Sequence, residues 1–179
     1  MKACYALVPR IRNSNINPGD PIEIEIFLTG YGEVKQNKLY ISYSSPSLID
    51  EREPGFFEYC IKVAKKANGS ILSPVSGREY LDSHKCDPVG ITVILNEGYF
   101  LSVPKERYPE NAIPSIMSEK MWDKHAPLFL RLSTSSKAPS GDYEIFLSLT
   151  YFDGIDLQMD QKTVKVHVKS WMERHSKKI

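Results

Sequence analysis

The densest group of reactive side chains lies in the segment DSHKCD, which contains Asp82, His84, Cys86 and Asp87. A histidine and a cysteine two positions apart could hold a metal ion, with Cys60 or a distant histidine completing the ligand set. Structural zinc sites usually show paired ligands at CxxC-like spacing, and the sequence lacks that pattern. The same pair could act as nucleophile and base, but neighbours on one loop seldom point at each other productively. We therefore predict ordinary polar loop residues here.

Catalytic motifs are absent from the rest of the sequence, which has no GxSxG, no HExxH and no glycine-rich phosphate loop. We accordingly predict no catalytic, cofactor-binding or metal-binding residues and no cofactor. His125 is expected in a surface or packing position, His167 in solvent beside lysines, and His175 in a C-terminal tail. Glu23 and Glu25 alternate with apolar residues of a strand and are expected to be solvated.

Aromatic side chains offer a possible binding surface. Tyr31, Tyr40, Tyr99, Phe100 and Tyr108 lie near predicted loops or strand edges. Exposed aromatic rings bind sugars or peptides through flat apolar contact, whereas buried ones would only line the core, and the sequence leaves both readings open. Basic residues are not interleaved with these rings, and the net charge is +1. We therefore expect no nucleic-acid partner.

The cysteines and the termini bear on the cellular setting. Cys4, Cys60 and Cys86 are odd in number, so at most one disulfide can form, and three reduced thiols are the simpler reading. The sequence has no secretory signal and no apolar run of about 20 residues, which predicts a chain soluble as given, of unspecified localisation. Trp171 followed by basic residues resembles the flank of a membrane helix, and equally a solvated tail. Membrane attachment is expected only if the native chain continues past residue 179.

Alternating apolar residues indicate the strands that would position these side chains. A first strand from Cys4 to Val8 is expected to stop at Pro9, since proline removes a backbone donor. The segment PIEIEIFLTG follows a Pro-Gly-Asp turn and has the period of two that is typical of a strand with one buried face. The segment KLYISYS repeats that pattern.

The middle of the chain, residues 46–125, is less regular. Residues 56–67 fit either a strand or a helix, and the sequence leaves the alternative open. The segment SPVSGREYLDSHKCDPVG is predicted to be a loop, and ITVILNEGYFLSV a hairpin that turns at Asn96–Gly98. One or two helical turns are expected in SIMSEKMWDKH.

The C-terminal third is regular again, with strands predicted in PLFLRLS, GDYEIFLSLTYF and KTVKVHVKSW. Asp153-Gly154 is predicted to turn the chain between the last two. Leu157 and Met159 are odd-numbered, whereas the valines of the last strand are even-numbered, so one unbroken strand cannot place both sets on one face. We therefore predict a β-bulge near Asp160–Gln161, or a loop from Asp153 to about Gln161 with the strand starting at Lys162.

Both ends of the chain resemble a known architecture. NPGDPIEIEIFLTGYG resembles the second strand of immunoglobulin-like and fibronectin-like modules of prokaryotic surface or membrane-attached proteins, and APSGDYEIFLSLTYFDG with KTVKVHV resembles their last two strands. Tyr143 precedes Ile145 by two residues, where antibody-like domains have a corner tyrosine before a disulfide cysteine. The resemblance implies an antiparallel immunoglobulin-like β-sandwich without that disulfide and with binding or spacing roles, and it does not imply an active site.

These observations give one expected organisation. Residues 1–179 form a single, mainly all-β sandwich domain, in which 46–125 is an elaborated middle region and 171–179 a C-terminal tail. The expected function is a non-enzymatic interaction or sensory module of a larger assembly or membrane-tethered protein, bound to a protein partner or to its own remaining chain. The alternatives are a carbohydrate- or small-ligand-binding domain and an enzyme with its site in 46–125.

Overall fold

The structure, a computed structural model, describes the backbone of residues 2–66, 70–76, 81–87, 90–95 and 128–175, and the side chains of 2–58, 90–95 and 128–175. The described residues form eleven β-strands and one short helix. The bounds are β1 Cys4–Ile11, β2 Asn15–Ile16, β3 Pro21–Tyr31, β4 Asn37–Tyr43, β5 Phe57–Lys66, β6 Ser70–Ser76, β7 Leu81–Asp87, β8 Gly90–Leu95, β9 Leu128–Ser133, β10 Gly141–Phe152, β11 Leu157–Val168 and α1 Trp171–His175.

Two sheets pack face to face, as the predicted all-β sandwich requires. One has five strands in the order β1-β3-β9-β5-β6, and the other has six in the order β2-β11-β10-β4-β8-β7. The pairs are antiparallel except for β2, which runs parallel to the last two residues of β11. The core lies between the sheets and takes side chains from both.

The predicted core faces are confirmed where the alternation is clearest. Ile22, Ile24 and Ile26 of β3 are at most 2% exposed, and the odd-numbered residues of β10 are buried from Tyr143 to Tyr151. The hydroxyl of Tyr143 donates to the carbonyl of Pro139 at 2.6 Å, the corner geometry that the resemblance implied.

The prediction that the first strand ends at Pro9 is wrong, because β1 continues to Ile11 with Pro9 opposite Ile26. β1 is the edge strand of its sheet, and its amides at residues 3, 5 and 7 point away from β3. Pro9 continues that series at the next outward position, where a missing N–H removes no ladder hydrogen bond.

The middle region contains more strands than its pattern indicates. The open alternative over 56–67 is resolved as strand β5, paired with β6 and β9. The loop prediction for SPVSGREYLDSHKCDPVG is wrong over Ser73–Ser76 of β6 and over β7. Both are the outermost strands of their sheets, which explains why neither needs an alternating apolar face.

Two further predictions fall partly or wholly outside the described residues. β8 supplies the first arm of the hairpin predicted in ITVILNEGYFLSV, whereas its turn at Asn96–Gly98 and its second arm lie outside the described residues. The helical turns predicted in SIMSEKMWDKH also lie outside them.

Glu25 contradicts its predicted solvation, since it is only 4% exposed. The guanidinium of Arg12 lies over the ring of Phe129 and donates from Nε to Oε1 of Glu25 at 2.8 Å. This hydrogen bond raises the pKa of Arg12, since it favours the charged form. Burial of a carboxylate is tolerated here because a guanidinium partner covers it. Glu23 is half-buried and contacts the same guanidinium at 3.3 Å.

Candidate interaction face

Halfway along the C-terminal strand β11, the apolar residues change from one face of the strand to the other. The predicted β-bulge or loop near Asp160–Gln161 is wrong, because β11 pairs with β10 in one uninterrupted register from Leu157 to Val168. The predicted turn between them is confirmed, with Gly154 at a φ of 103°. In a regular strand, odd and even residues occupy opposite faces. The even-numbered Val164, Val166 and Val168 are buried in the core, so the odd-numbered Leu157 and Met159 face outwards.

The outward residues at the start of β11, with the neighbouring loop residue, form an exposed cluster that we call the apolar end. It consists of Ile155, Leu157 and Met159, whose exposed fractions are 62%, 68% and 61%. Phe152 of β10 pairs with Leu157 and is half-buried beside it. Three large apolar side chains are thus presented together at one end of the six-stranded sheet.

A tight loop holds the apolar end in place. The carboxylate of Asp153, 2% exposed, accepts hydrogen bonds from the amides of Ile155 and Asp156, both at 2.7 Å, and from the side chain of Gln158. The bonds from the amides of Asp156 and Ile155 lower the pKa of Asp153, because they stabilise its charged form. Ile155 and Leu157 are therefore carried by an ordered hairpin loop.

The inner face of the same half-strand is polar. Asp160 accepts the backbone N–H of Leu7 through Oδ2 at 2.7 Å, and the ammonium of Lys162 lies 2.9 Å from Oδ1. The side chains of Asp160 and Lys162 are 20% and 24% exposed. In the first half of β11, the charged residues therefore face inwards and the large apolar residues face outwards.

Asp160 belongs to a series of contacts that join the edge of β1 to the second sheet. Ala3 N donates to the carbonyl of Asp153 at 3.1 Å, and Tyr5 N donates to the hydroxyl of Tyr151 at 2.9 Å. Burial and the neighbouring Tyr151 raise the pKa of Tyr5 to about 12. Both tyrosines therefore stay protonated and keep their hydrogen-bond donors at neutral pH.

Two aromatic rings lie further along the outer face of the six-stranded sheet. Tyr40 of β4 is half-buried, and Phe146 of β10 is 37% exposed. A Cβ added to Gly90 would lie 2.8 Å from the hydroxyl of Tyr40, so the tyrosine ring occupies the space of a side chain there. The ring consequently reaches over Gly90 of the neighbouring strand β8.

The opposite end of the β10–β11 hairpin is charged and holds α1. His167 contacts Asp142 Oδ1 through Nδ1 at 2.7 Å and Glu173 Oε2 through Nε2 at 2.8 Å. Ser170 accepts the amide of Glu173, and Glu173 accepts the amide of Ser170, which is a capping box. His167 lies on the lysine face as predicted, with 30% of its side chain exposed, and both of its ring nitrogens contact carboxylates that the sequence pattern did not indicate. His175, predicted in a tail, lies in α1 with its ring 4.5 Å from that of Trp171.

We expect the contact between His167 and α1 to depend on pH. The hydrogen bonds to Glu173 and then Asp142 raise the pKa of His167 above its ordinary value of 6.5. A raised folded pKa stabilises the docked helix below pH 6.5, and this contribution is lost as the pH rises through the folded value. An NMR titration should give His167 a pKa above 6.5, and Glu173→Gln should lower it.

Glu144→Gln is the matched control for that titration, since Glu144 is a neighbouring carboxyl on β10 whose backbone amide bonds Ser44 on the side away from His167. It should leave the His167 titration nearly unchanged. An unshifted His167 pKa in Glu173→Gln would contradict the assigned contact.

Most reactive residues singled out by the sequence have side chains outside the described part of the chain. Asp82, His84, Cys86 and Asp87 lie in β7, whose side chains are outside the description, as is that of Cys60. The described residues hold no group of three metal-ligating side chains. Cys4 is a free, half-buried thiol.

The predicted aromatic set is split as well. Tyr31 lies on β3 of the five-stranded sheet and Tyr40 on β4 of the six-stranded sheet, so these two rings do not share a platform. Tyr99, Phe100, Tyr108 and His125 lie outside the described residues. The apolar end was missed because Leu157 and Met159 were expected to face the core.

Within the described ranges, no helix is long and apolar enough to cross a membrane. Comparison with curated proteins gives no match to the sequence.

Solved structures similar to the chain share its fold at low sequence identity. One comes from the structure of manganese lipoxygenase of Gaeumannomyces graminis and part of zonadhesin of Komagataella pastoris, with a TM-score of 0.50 and 9% identity over 90% of this chain and 46% of that chain. The C-terminal domain of the Streptococcus agalactiae AgI/II polypeptide BspA gives a TM-score of 0.47 and 10% identity over 93% and 50%. The collagen-binding subdomain of the Enterococcus faecalis surface protein ACE gives 0.45 and 9% over 93% and 96%.

The chain thus spans less than half of the first of these structures. The fold is an immunoglobulin-like β-sandwich, as the sequence resemblance implied. A family model described as "Domain of unknown function (DUF8164)" matches residues 3–179, and the chain belongs to that family.

Proposed function

We propose that this domain is a non-enzymatic protein-interaction module that binds a protein partner through the apolar end. The observation that carries the proposal is the exposure of Ile155, Leu157 and Met159, each above 60%, on an ordered hairpin. Scattered apolar residues are normal on a surface, whereas adjacent large ones are typical of contact sites. A partner would remove these side chains from water and gain the corresponding hydrophobic free energy.

The inner contacts of β11 support this assignment. If the outward apolar residues resulted from a register slip, polar groups would be left unpaired inside. Asp160 instead bonds the backbone of β1 and the ammonium of Lys162. The reversed strand is thus satisfied on its inner face, and its outer face remains available for a partner.

The carbohydrate-binding alternative has less support in the described residues. Stacking on a sugar needs aromatic rings side by side on one surface. Tyr31 and Tyr40 lie in different sheets. On the described outer face of the six-stranded sheet, the rings available for stacking are Tyr40 and Phe146, whereas the larger exposed apolar area lies at Leu157 and Met159.

Site-specific photocrosslinking in the native cell tests the proposal. A photoreactive amino acid at Leu157 or Met159 should give one discrete protein adduct, because the partner covers these positions. The same amino acid at Lys165, on the same face of the same strand but beyond the apolar end, is the matched control: it should give much less adduct with that partner, and adducts between two copies of this chain, recognised by their mass, are counted separately. Equal adducts at all three positions, or none at Leu157 and Met159, would overturn the proposal.

A further inference from the structure

Among the described residues, the outer edge of β11 has no strand partner over most of its length. β2 pairs with it only at His167 and Val168, and no other described strand forms a hydrogen-bonded ladder with this edge, although β1 lies close to the inner face of β11 and bonds Asp160. His167 N donates to the carbonyl of Ser14, which shows that the odd-numbered amides of β11 point away from β10. By the same alternation, the amides and carbonyls of Met159, Gln161, Thr163 and Lys165 point outwards.

These outward groups have no backbone partner among the described residues, and the side chains at the four positions are exposed. The edge of β1 differs, because its outward N–H groups already have acceptors: Tyr5 N bonds a side-chain hydroxyl and Ala3 N bonds a backbone carbonyl. Pro9, at the next outward position, has no N–H to donate. The edge of β1 is thus closed by contacts within the protein, whereas the described edge of β11 keeps its unpaired N–H and C=O groups. Unpaired edges of this kind are templates for a further strand.

The sequence of the open edge complements itself. Gln161 lies midway between Leu157, where β11 begins, and Lys165, the last outward position before β2. An antiparallel pairing of two copies centred on Gln161 joins Gln161 to its equivalent, Met159 to Thr163, and Leu157 to Lys165. The outward backbone groups then form the hydrogen-bonded pairs of an antiparallel ladder.

The same register matches the charges. It places Asp160 opposite Lys162 of the second copy, and Lys162 opposite Asp160, so the ion pair that these two residues make on the inner face of each chain meets the oppositely ordered pair of the other copy across the two-fold axis. Shifting the register by two residues loses this match, because Asp160 or Lys162 would then meet its own equivalent or a neutral residue. Charge complementarity therefore favours one register and one partner.

We propose that the open edge of β11 binds the same edge of a second copy of this chain, in antiparallel register centred on Gln161. The two six-stranded sheets then form one continuous sheet, with a closed two-fold interface. β2 limits the ladder at one end, and the loop at Asp153 limits it at the other. The apolar end stays on the outer face, so this assembly does not depend on the protein partner proposed above.

Charge reversal at the two-fold axis tests the proposal. Gln161 is exposed, and its amide points away from β10, so its substitution leaves the monomer ladder intact. The unsubstituted chain should show a monomer–dimer equilibrium in sedimentation velocity between about 1 µM and 1 mM. Gln161→Glu and Gln161→Lys should each raise the dimer Kd roughly tenfold through like-charge contact, and mixing them should restore dimers.

Lys38→Glu is the control, because Lys38 is exposed on β4, two strands from the edge. It should leave the equilibrium unchanged. A chain that stays monomeric over the whole concentration range would overturn the proposal. So would a dimer whose Kd is insensitive to both substitutions at Gln161.

Disulfide crosslinking tests the register independently. Gln161→Cys places two thiols opposite each other at a Cα separation of about 5.5 Å, within the range that a disulfide spans. Thr163→Cys is the matched control, since its thiol would face Met159 of the second copy. Oxidation should give a covalent dimer of Gln161→Cys above the level seen in the unsubstituted chain and in Thr163→Cys. Equal or greater crosslinking of Thr163→Cys would overturn the proposed register.

Discussion

Replacing Gly30 by alanine is expected to destabilise the domain by about 2–5 kcal/mol. Gly30 lies in β3 with a φ of 147°, and an added Cβ would lie 2.0 Å from the carbonyl oxygen of Cys4 and 2.7 Å from Cα of Tyr5. These atoms belong to the backbone of β1, which pairs with β3 at this point. The added methyl group can be accommodated only if the two strands separate, which breaks ladder hydrogen bonds and exposes core. Urea denaturation monitored by circular dichroism measures the loss.

Gly141→Ala is the matched control for this substitution. Its φ of 142° is nearly the same, but nothing lies within 4 Å of the added Cβ. It should therefore show only the backbone strain, about 1–2 kcal/mol. Equal losses in the two variants would mean that the clash with β1 contributes nothing.

Asp160→Ala is the second substitution with a large expected effect, a loss of about 2–3 kcal/mol in the free energy of unfolding. The change removes the acceptor of the Leu7 amide and the carboxylate that contacts Lys162. Both side chains are at most about a quarter exposed, so water replaces these contacts poorly. Asp160→Asn keeps an oxygen acceptor but removes the charge, and it should lose about half as much.

Asp156→Ala is the control, because Asp156 is an exposed aspartate in the loop just before β11. Its described contacts are made by its backbone, which accepts from and donates to Asp153. The change should stay within about 0.5 kcal/mol of the unsubstituted chain. An Asp160→Ala variant as stable as this control would show that the Leu7 and Lys162 contacts are energetically neutral.

The sequence predicts the fold where alternation and burial coincide. The isoleucines of β3 and the odd-numbered residues of β10 alternate because one face of each strand packs into the core. Asp153-Gly154 turns the chain as its residue types indicate, and Tyr143 bonds the backbone of Pro139. These features depend on local chemistry, which a single sequence carries.

Features that depend on sheet position were not predictable in the same way. β6 and β7 are outermost strands, and their polar sequences resemble loops because an edge needs little apolar alternation. Glu25 is buried by Arg12, which reaches it from the segment after β1, and no local pattern encodes that contact.

The apolar end shows the same limit at the candidate site. The odd numbering of Leu157 and Met159 is visible in the sequence. It predicts a bulge only if apolar residues always face the core, and these two residues face outwards. Asp160 and Lys162 occupy the inner face because Leu7 of β1 supplies a backbone donor 153 residues away in sequence. Such a long-range contact satisfies the inward-facing carboxylate, and composition cannot reveal it.

The contacts between β1 and the C-terminal hairpin also bear on how the chain acquires its structure during synthesis. Tyr5 and Leu7 are made first, yet their outward amides are satisfied by Tyr151 and Asp160, 146 and 153 residues later. The first strand thus emerges from the ribosome long before its acceptors exist. Pairing between residues so distant is slow, because loop-closure entropy must be overcome first. The edge of β1 consequently matures late, after translation of β10 and β11, even though β1 is translated before both of them.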